Sequence, residues 1–107
     1  MRKYTQEELL ATKACLNGKW VDSRDRKTFP VLDPATGKEI AQCADIGPEQ
    51  VAEGILGARK AFDSWKKTTA KERSQILRRW HELQIAHQEE LAQLMSMEQG
   101  RPITEAR

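Results

Sequence analysis

The chain has 107 residues, 32% of them charged and 38% hydrophobic, which makes at most one small domain with a thin apolar supply. Eighteen basic and sixteen acidic side chains leave a net charge of +2, too mild for the concentrated basic face of a nucleic-acid binder. No stretch approaches the roughly 18 apolar residues of a membrane span, and two cysteines, Cys15 and Cys43, are too few for a disulfide framework, so reduced thiols and the polar residues after Met1-Arg2-Lys3 point to a cytoplasmic protein.

Thr5-Gln6-Glu7-Glu8 has capping-box spacing, a hydroxyl followed three residues later by a carboxylate, and predicts a short helix over about 5–13. Asn17-Gly18 supplies the two positive φ values of a type I′ turn and joins Cys15-Leu16 to Lys19-Trp20-Val21 as a hairpin. Ser23 to Lys27 is a charged loop. Thr28 to Asp33 is the next strand, with Phe29 and Val31 on one side and Pro30 suited to an edge. Asp33-Pro34-Ala35-Thr36-Gly37 is turn chemistry, after which Lys38 to Ala44 returns as an antiparallel partner. Residues 15–45 thus read as a β-ribbon with little apolar content, and such ribbons need something to pack on.

The remainder is helical. Pro48 and Glu49 suit a first turn, and Val51, Ile55, Ala58, Phe62 and Trp65 form a continuous apolar stripe. Gly54 and Gly57 lie inside this helix, where each costs up to ~1 kcal/mol against Ala; close packing of another backbone is one reason for them, simple tolerance another. Thr69-Ala70-Lys71-Glu72 is a second capping box, opening a helix that carries Ile76, Leu77, Trp80 and Leu83. A third helix runs from about Gln88 through Leu91, Leu94 and Met95 to Gly100, a natural helix-ending residue. Pro102 opens a further helix that the sequence leaves at Arg107, too short to stand alone. Ribbon followed by helices without a parallel strand reads as incomplete α/β architecture, the front part of something larger.

The residues with chemistry carry bland readings. Cys15 and Cys43 have no neighbouring base in sequence and read as half-buried strand cysteines. His81 and His87 are six apart, where a helical zinc pair needs a spacing of four, and read as surface or helix-end residues. Lys66, Lys67, Lys71, Arg73, Arg78 and Arg79 form a solvated basic face paired with Glu72 and Glu82; a small nucleic-acid binder rests on this cluster alone. Glu89, Glu90 and Glu98 are a solvated helix face, and Met95 and Met97 fill gaps. The six glycines never form a phosphate-cradling loop.

Five segments together resemble the aldehyde dehydrogenase superfamily. They are Asn17-Gly18-Lys19-Trp20-Val21, Pro34-Ala35-Thr36-Gly37-Lys38-Glu39-Ile40, Ala61-Phe62 with Trp65, the run from Thr69-Ala70 through Glu72-Arg73-Ser74 and Ile76-Leu77-Arg78 to Trp80, and Glu98-Gln99-Gly100-Arg101-Pro102. The Thr69-Ala70-Lys71-Glu72-Arg73-Ser74 and Glu98-Gln99-Gly100 segments are most similar to the succinate-semialdehyde dehydrogenase branch. Departures are Arg101 before Pro102, Gly54 and Gly57 in place of alanine-like residues, and Ser96.

The resemblance implies an NAD(P)+-dependent oxidation of an aldehyde to its carboxylate, through a cysteine thiolate, hydride transfer and a glutamate that helps water release the acid. It places residues 1–107 in the N-terminal part of the Rossmann-like cofactor-binding domain, with a ribbon at about 15–45 and helices at about 48–107, lacking the parallel sheet. It assigns no catalytic, cofactor-binding or metal residue to this chain, and Cys15 and Cys43 match none of the family's catalytic positions. The chain alone is then expected to turn over no substrate and bind no NAD(P)+, with the remainder of a homo-oligomeric subunit as its partner. The rival reading is an interaction module that associates with itself or docks on a subunit through its apolar stripes.

Overall fold

The computed structural model describes residues 2–107, and its elements follow the predicted order. Helix α1 (Gln6–Leu9) precedes strands β1 (Ala14–Leu16), β2 (Lys19–Val21), β3 (Thr28–Leu32) and β4 (Glu39–Ala44). Helices α2 (Pro48–Trp65), α3 (Ala70–Ala86), α4 (Gln88–Gln99) and α5 (Ile103–Ala106) complete the chain.

Helix α1 is shorter than the sequence suggests. Its capping box forms as expected, the Thr5 amide donating to the Glu8 carboxylate at 2.8 Å and the Glu8 amide to the Thr5 hydroxyl at 3.2 Å. At Leu10, however, the backbone turns extended (φ −76°, ψ 92°). The stretch that follows spends a carbonyl elsewhere: Thr12 accepts from the Ala44 amide at 2.8 Å. A one-turn helix has little to set against such a tie, since its nucleus is costly and its bonds few.

The predicted ribbon is two separate two-stranded sheets, β1–β2 and β3–β4. In the first, Asn17 and Gly18 take φ values of 53° and 73°, the pair of left-handed positions that a type I′ turn requires. The pairing is Ala14 with Val21, Cys15 with Trp20 and Leu16 with Lys19. In the second, Pro30 faces Gln42, and the register slips between Val31 and Leu32. With only two strands every strand is an edge, the position in a sheet where a proline is tolerated. The turn closes through the Asp33 carboxylate, which accepts from the Ala35 amide at 2.8 Å, and through Gly37 at φ 72°.

Helix α2 starts at Gly47 with Pro48 in its first turn and no side-chain cap. Helix α3 starts on the second capping box, with Thr69 N donating to Glu72 at 2.7 Å and Glu72 N to the Thr69 hydroxyl at 3.2 Å. Between the two helices, the Arg73 guanidinium donates to the Trp65 carbonyl at 3.0 Å and to the Thr68 hydroxyl at 2.8 Å. It thereby supplies a donor to the open C-terminal end of α2. Helix α4 ends at Gly100 (φ 74°), whose amide returns to the Ser96 carbonyl at 2.8 Å.

The core is small. Ala92 and Leu94 of α4 are the buried hydrophobic residues, joined by three buried polar residues, Ser23, Gln50 and His87. The radius of gyration is 16.7 Å, well above the ~13 Å of a compact domain of about 100 residues. The class is mixed helix with small antiparallel strand pairs and no closed sheet among the described residues.

An uncovered helical face as the candidate functional site

The stripes read from the sequence form as helix faces and are then left open. On α2, Val51, Ile55, Phe62 and Trp65 are all exposed, Ile55 at 64%. On α3, Ile76, Trp80 and Leu83 are exposed, Trp80 at 59%. Leu56, Leu77 and Ile85 widen the open apolar surface beyond a single stripe. Soluble monomers rarely leave so many large apolar side chains in water, and contiguous patches of this kind mark interaction surfaces.

Charges line this surface rather than converge on it. Asp63 pairs with Arg59 at 3.2 Å and with Lys66 at 3.6 Å, and both cations lie over the Phe62 ring, at 5.5 and 5.7 Å from its centre. Arg73 lies 5.4 Å from the Trp65 ring centre. The predicted pairing of the basic cluster forms in part: Arg78 reaches Glu82 at 3.8 Å, but Glu72 is engaged in the Thr69 cap and Arg73 in the end of α2. These residues shape helix ends more than they build a phosphate-binding field.

A second part of α2 meets the first hairpin. A Cβ at Gly54 would stand 2.8 Å from Leu16 Cδ2, and one at Gly57 only 1.5 Å from Asn17 Oδ1. The two glycines are therefore places of close approach, by side chains of the hairpin rather than by another backbone. Together with Cys15, Lys60 and Ser64 they line an open groove of about 820 Å³. Nearby, Gln50 is buried and fixes the loop before it, donating to the Asp22 carbonyl at 3.0 Å and accepting from the Arg24 amide at 3.1 Å. The Arg24 guanidinium hydrogen-bonds and pairs with Glu53, which holds its pKa above the ordinary guanidinium value. In the same loop, a hydrogen bond from the Ser23 hydroxyl, then one from the Lys27 amide, hold the Asp25 carboxyl below its ordinary value of 3.8.

The structure does not gather the chemistry-bearing residues. Cys15 is exposed on its three-residue strand, at the open groove against α2, where the sequence suggests half-burial; Cys43 is half-buried as expected. His81 is exposed on α3. His87 lies at the expected helix end but is 2% exposed rather than on the surface. Its imidazole meets Tyr4, 83 positions away, a partnership with no local sequence signal. Met95 is 44% exposed and fills no gap. Among the described residues, no three His, Cys, Asp or Glu side chains lie together as a metal site needs, and no helix is long and apolar enough to cross a membrane.

The chain is thus long helices with bare apolar faces carrying two small hairpins. The sequence pattern of the aldehyde dehydrogenase family matches residues 20–107, and the chain belongs to that family. It is 47% identical over 106 residues to the mitochondrial succinate-semialdehyde dehydrogenase of Oryza sativa, covering 99% of this chain and 20% of that one. It is 43% identical over 100 residues to the glutarate-semialdehyde dehydrogenase of Pseudomonas putida, covering 94% and 21%. Among solved structures, an NADP-dependent enzyme of E. coli superposes with a TM-score of 0.90 at 37% identity, over 94% of this chain and 21% of that one. The chain thus spans about a fifth of the length of the relatives it matches.

Proposed function

We propose that residues 1–107 are the N-terminal part of the cofactor-binding domain of an aldehyde dehydrogenase subunit. The subunit oxidises an acidic semialdehyde, succinate semialdehyde first, with NAD(P)+. The overall reaction takes RCHO, NAD(P)+ and water to RCOO⁻, NAD(P)H and two protons. The observation that carries the reading is the bare face of Ile55, Phe62, Trp65, Ile76 and Trp80. Burying one such side chain is worth roughly 1.5–3 kcal/mol, so the face favours a covering sheet supplied by the rest of a homo-oligomeric subunit. In this reading the helices carry the sheet, while the thiolate, the glutamate and the nucleotide-contacting groups come from that remainder. Residues 1–107 contribute no catalytic, cofactor or metal residue.

The test mixes the 107-residue chain with NADP+ and succinate semialdehyde. No nucleotide reduction above blank is expected, and any reduction overturns the assignment of the chemistry to other residues. Co-expression with a succinate-semialdehyde dehydrogenase subunit lacking the matching fifth is expected to restore reduction, and failure to associate with it removes the scaffold reading. Glutarate semialdehyde run alongside reports substrate preference.

The same face supports a second reading, an interaction module that associates with itself. Sedimentation separates the two: a clean monomer with native-like tryptophan fluorescence removes self-association. For location, exposed Cys15 as a free thiol favours a reducing compartment. We place the protein in the cytoplasm, and cell fractionation tests that against the mitochondrial matrix.

A further inference from the structure

His87 sits at the junction of α3 and α4, 2% exposed, with both ring nitrogens engaged. Nδ1 is 2.8 Å from the Leu83 carbonyl oxygen, and Nε2 is 2.7 Å from the Tyr4 backbone nitrogen. A carbonyl only accepts and a backbone N–H only donates. The proton therefore resides on Nδ1, and Nε2 must be bare to accept from Tyr4. The two partners together specify the neutral ring in one tautomer. A cationic ring carries N–H at both nitrogens, which sets a donor against the Tyr4 donor in a site closed to water.

What hangs on that acceptor is the N-terminal segment. The Tyr4 ring lies 5.5 Å from the His87 ring, tilted at 54°, and Arg2 stands 4.6 Å from the Tyr4 ring centre. Beyond Tyr4, residues Thr5, Gln6 and Leu10 line a hollow with Ile40, Leu94 and Met97. The far end of the segment is tied separately, by the Thr12 carbonyl to the Ala44 amide at 2.8 Å and by an exposed Lys13–Asp22 pair at 3.6 Å. One end is thus fixed to β4 and the other rests on a titratable group. The charged groups toward the His87 end of the surrounding elements form mostly exposed pairs. Arg2 pairs with Glu8 at 2.6 Å and Glu7 lies beside it on α1; Arg78 pairs with Glu82 on α3; Glu89 and Glu90 open α4, with Glu89 held by Arg107 at 2.8 Å. Arg2 and Glu8 compensate each other, as do Arg78 with Glu82 and Arg107 with Glu89, so the local charges leave the geometry of the two ring partners to set the preference for the neutral ring.

We propose that His87 is a pH-sensitive latch. The neutral imidazole docks residues 2–10 onto the α3–α4 junction, and protonation releases them and uncovers the apolar surface of Leu10, Ile40, Leu94 and Met97. The latch holds the neutral ring and rejects the cation, so docking is present in mild base and is lost as acid protonates the ring.

The experiment is hydrogen exchange of the Tyr4 amide in the 107-residue chain at pH 8 and pH 5, corrected for intrinsic rates, with 15N shifts of the imidazole read in the same samples. At pH 8 we expect a protected Tyr4 amide and a neutral ring protonated at Nδ1. At pH 5 we expect protection to fall about tenfold, the fold-change that one net hydrogen bond amounts to. His87→Gln offers an amide oxygen that does not titrate, so protection should persist and lose its pH dependence; His81→Gln should leave the response intact. An unprotected Tyr4 amide at pH 8, a ring protonated at Nε2, equal protection at both pH values, or a response that survives in His87→Gln each overturns the latch. The imidazole shifts need no substitution, so the tautomer test stands if a variant fails to fold.

Discussion

Two regions of this chain treat their apolar residues in opposite ways. Around α4, the chain closes on itself: Ala92 and Leu94 are buried, and His87 has both nitrogens satisfied. Along α2 and α3, Ile55, Phe62, Trp65, Ile76 and Trp80 stand in water on helices that are otherwise well made, with a full capping box and a closed junction at Arg73. Local sequence rules are obeyed equally in both. The difference lies in what the 107 residues pack on each face: α4 is the part that holds together locally, and on the proposed function α2–α3 is the part that a neighbour covers.

The largest expected effect follows directly. Leu94→Ala removes a buried side chain and is expected to cost about 2–4 kcal/mol, read as a fall in the urea midpoint by circular dichroism. Trp80→Ala in the same chain removes a larger side chain yet is expected to stay within about 0.5 kcal/mol, as an exposed substitution does. In an assembled subunit the ranking reverses, and Trp80→Ala is expected to cost about 3–5 kcal/mol. A large cost of Trp80→Ala in the chain alone breaks the comparison, because it means the face is already covered, by self-association.

How far the sequence reaches depends on the range of the interaction. The two capping boxes, the Asn17-Gly18 turn and the end of α4 at Gly100 are local, each fixed by residues within about four positions, and all are legible. The apolar stripes are legible as periodicity, but periodicity states what can be buried and not by what. Both hairpins are legible from their own turns, Asn17-Gly18 and Asp33 to Gly37, whereas the tie between the Thr12 carbonyl and the Ala44 amide is invisible locally. The meaning of Gly54 and Gly57 appears only when Leu16 and Asn17 are seen against them. The burial of His87 depends on a residue 83 positions away. The family is legible because five weak segments fall in order, although the residues for its chemistry are not among them.

A smaller effect sharpens the same contrast. Thr69→Ala deletes the cap of α3 and is expected to cost about 1 kcal/mol, because α3 is long and its melting is felt by the whole helical arm. Thr5→Ala deletes an equivalent cap from the one-turn α1. It is expected to fray residues 5–9 without moving the global midpoint, a difference that site-resolved hydrogen exchange reads. Equal global costs at the two sites mean that α1 is part of the cooperative core rather than a docked segment.

The smallest effect concerns Glu8 and decides how α1 leaves. A hydrogen bond from the Thr5 amide, supported by the Arg2 charge, holds the Glu8 carboxyl below its ordinary value of 4.5. A carboxylate lowered in the folded state contributes stability above its ordinary value and loses it as the pH falls through the folded value. That window lies below 4.5. At pH 5 Tyr4 protection is expected to be lost while the Glu8 carboxyl, followed by its side-chain carbon shift, keeps its lowered midpoint and so its cap. If Glu8 instead titrates at its ordinary value once Tyr4 is free, the capping box depends on docking, and α1 dissolves as it detaches instead of swinging away as a formed turn.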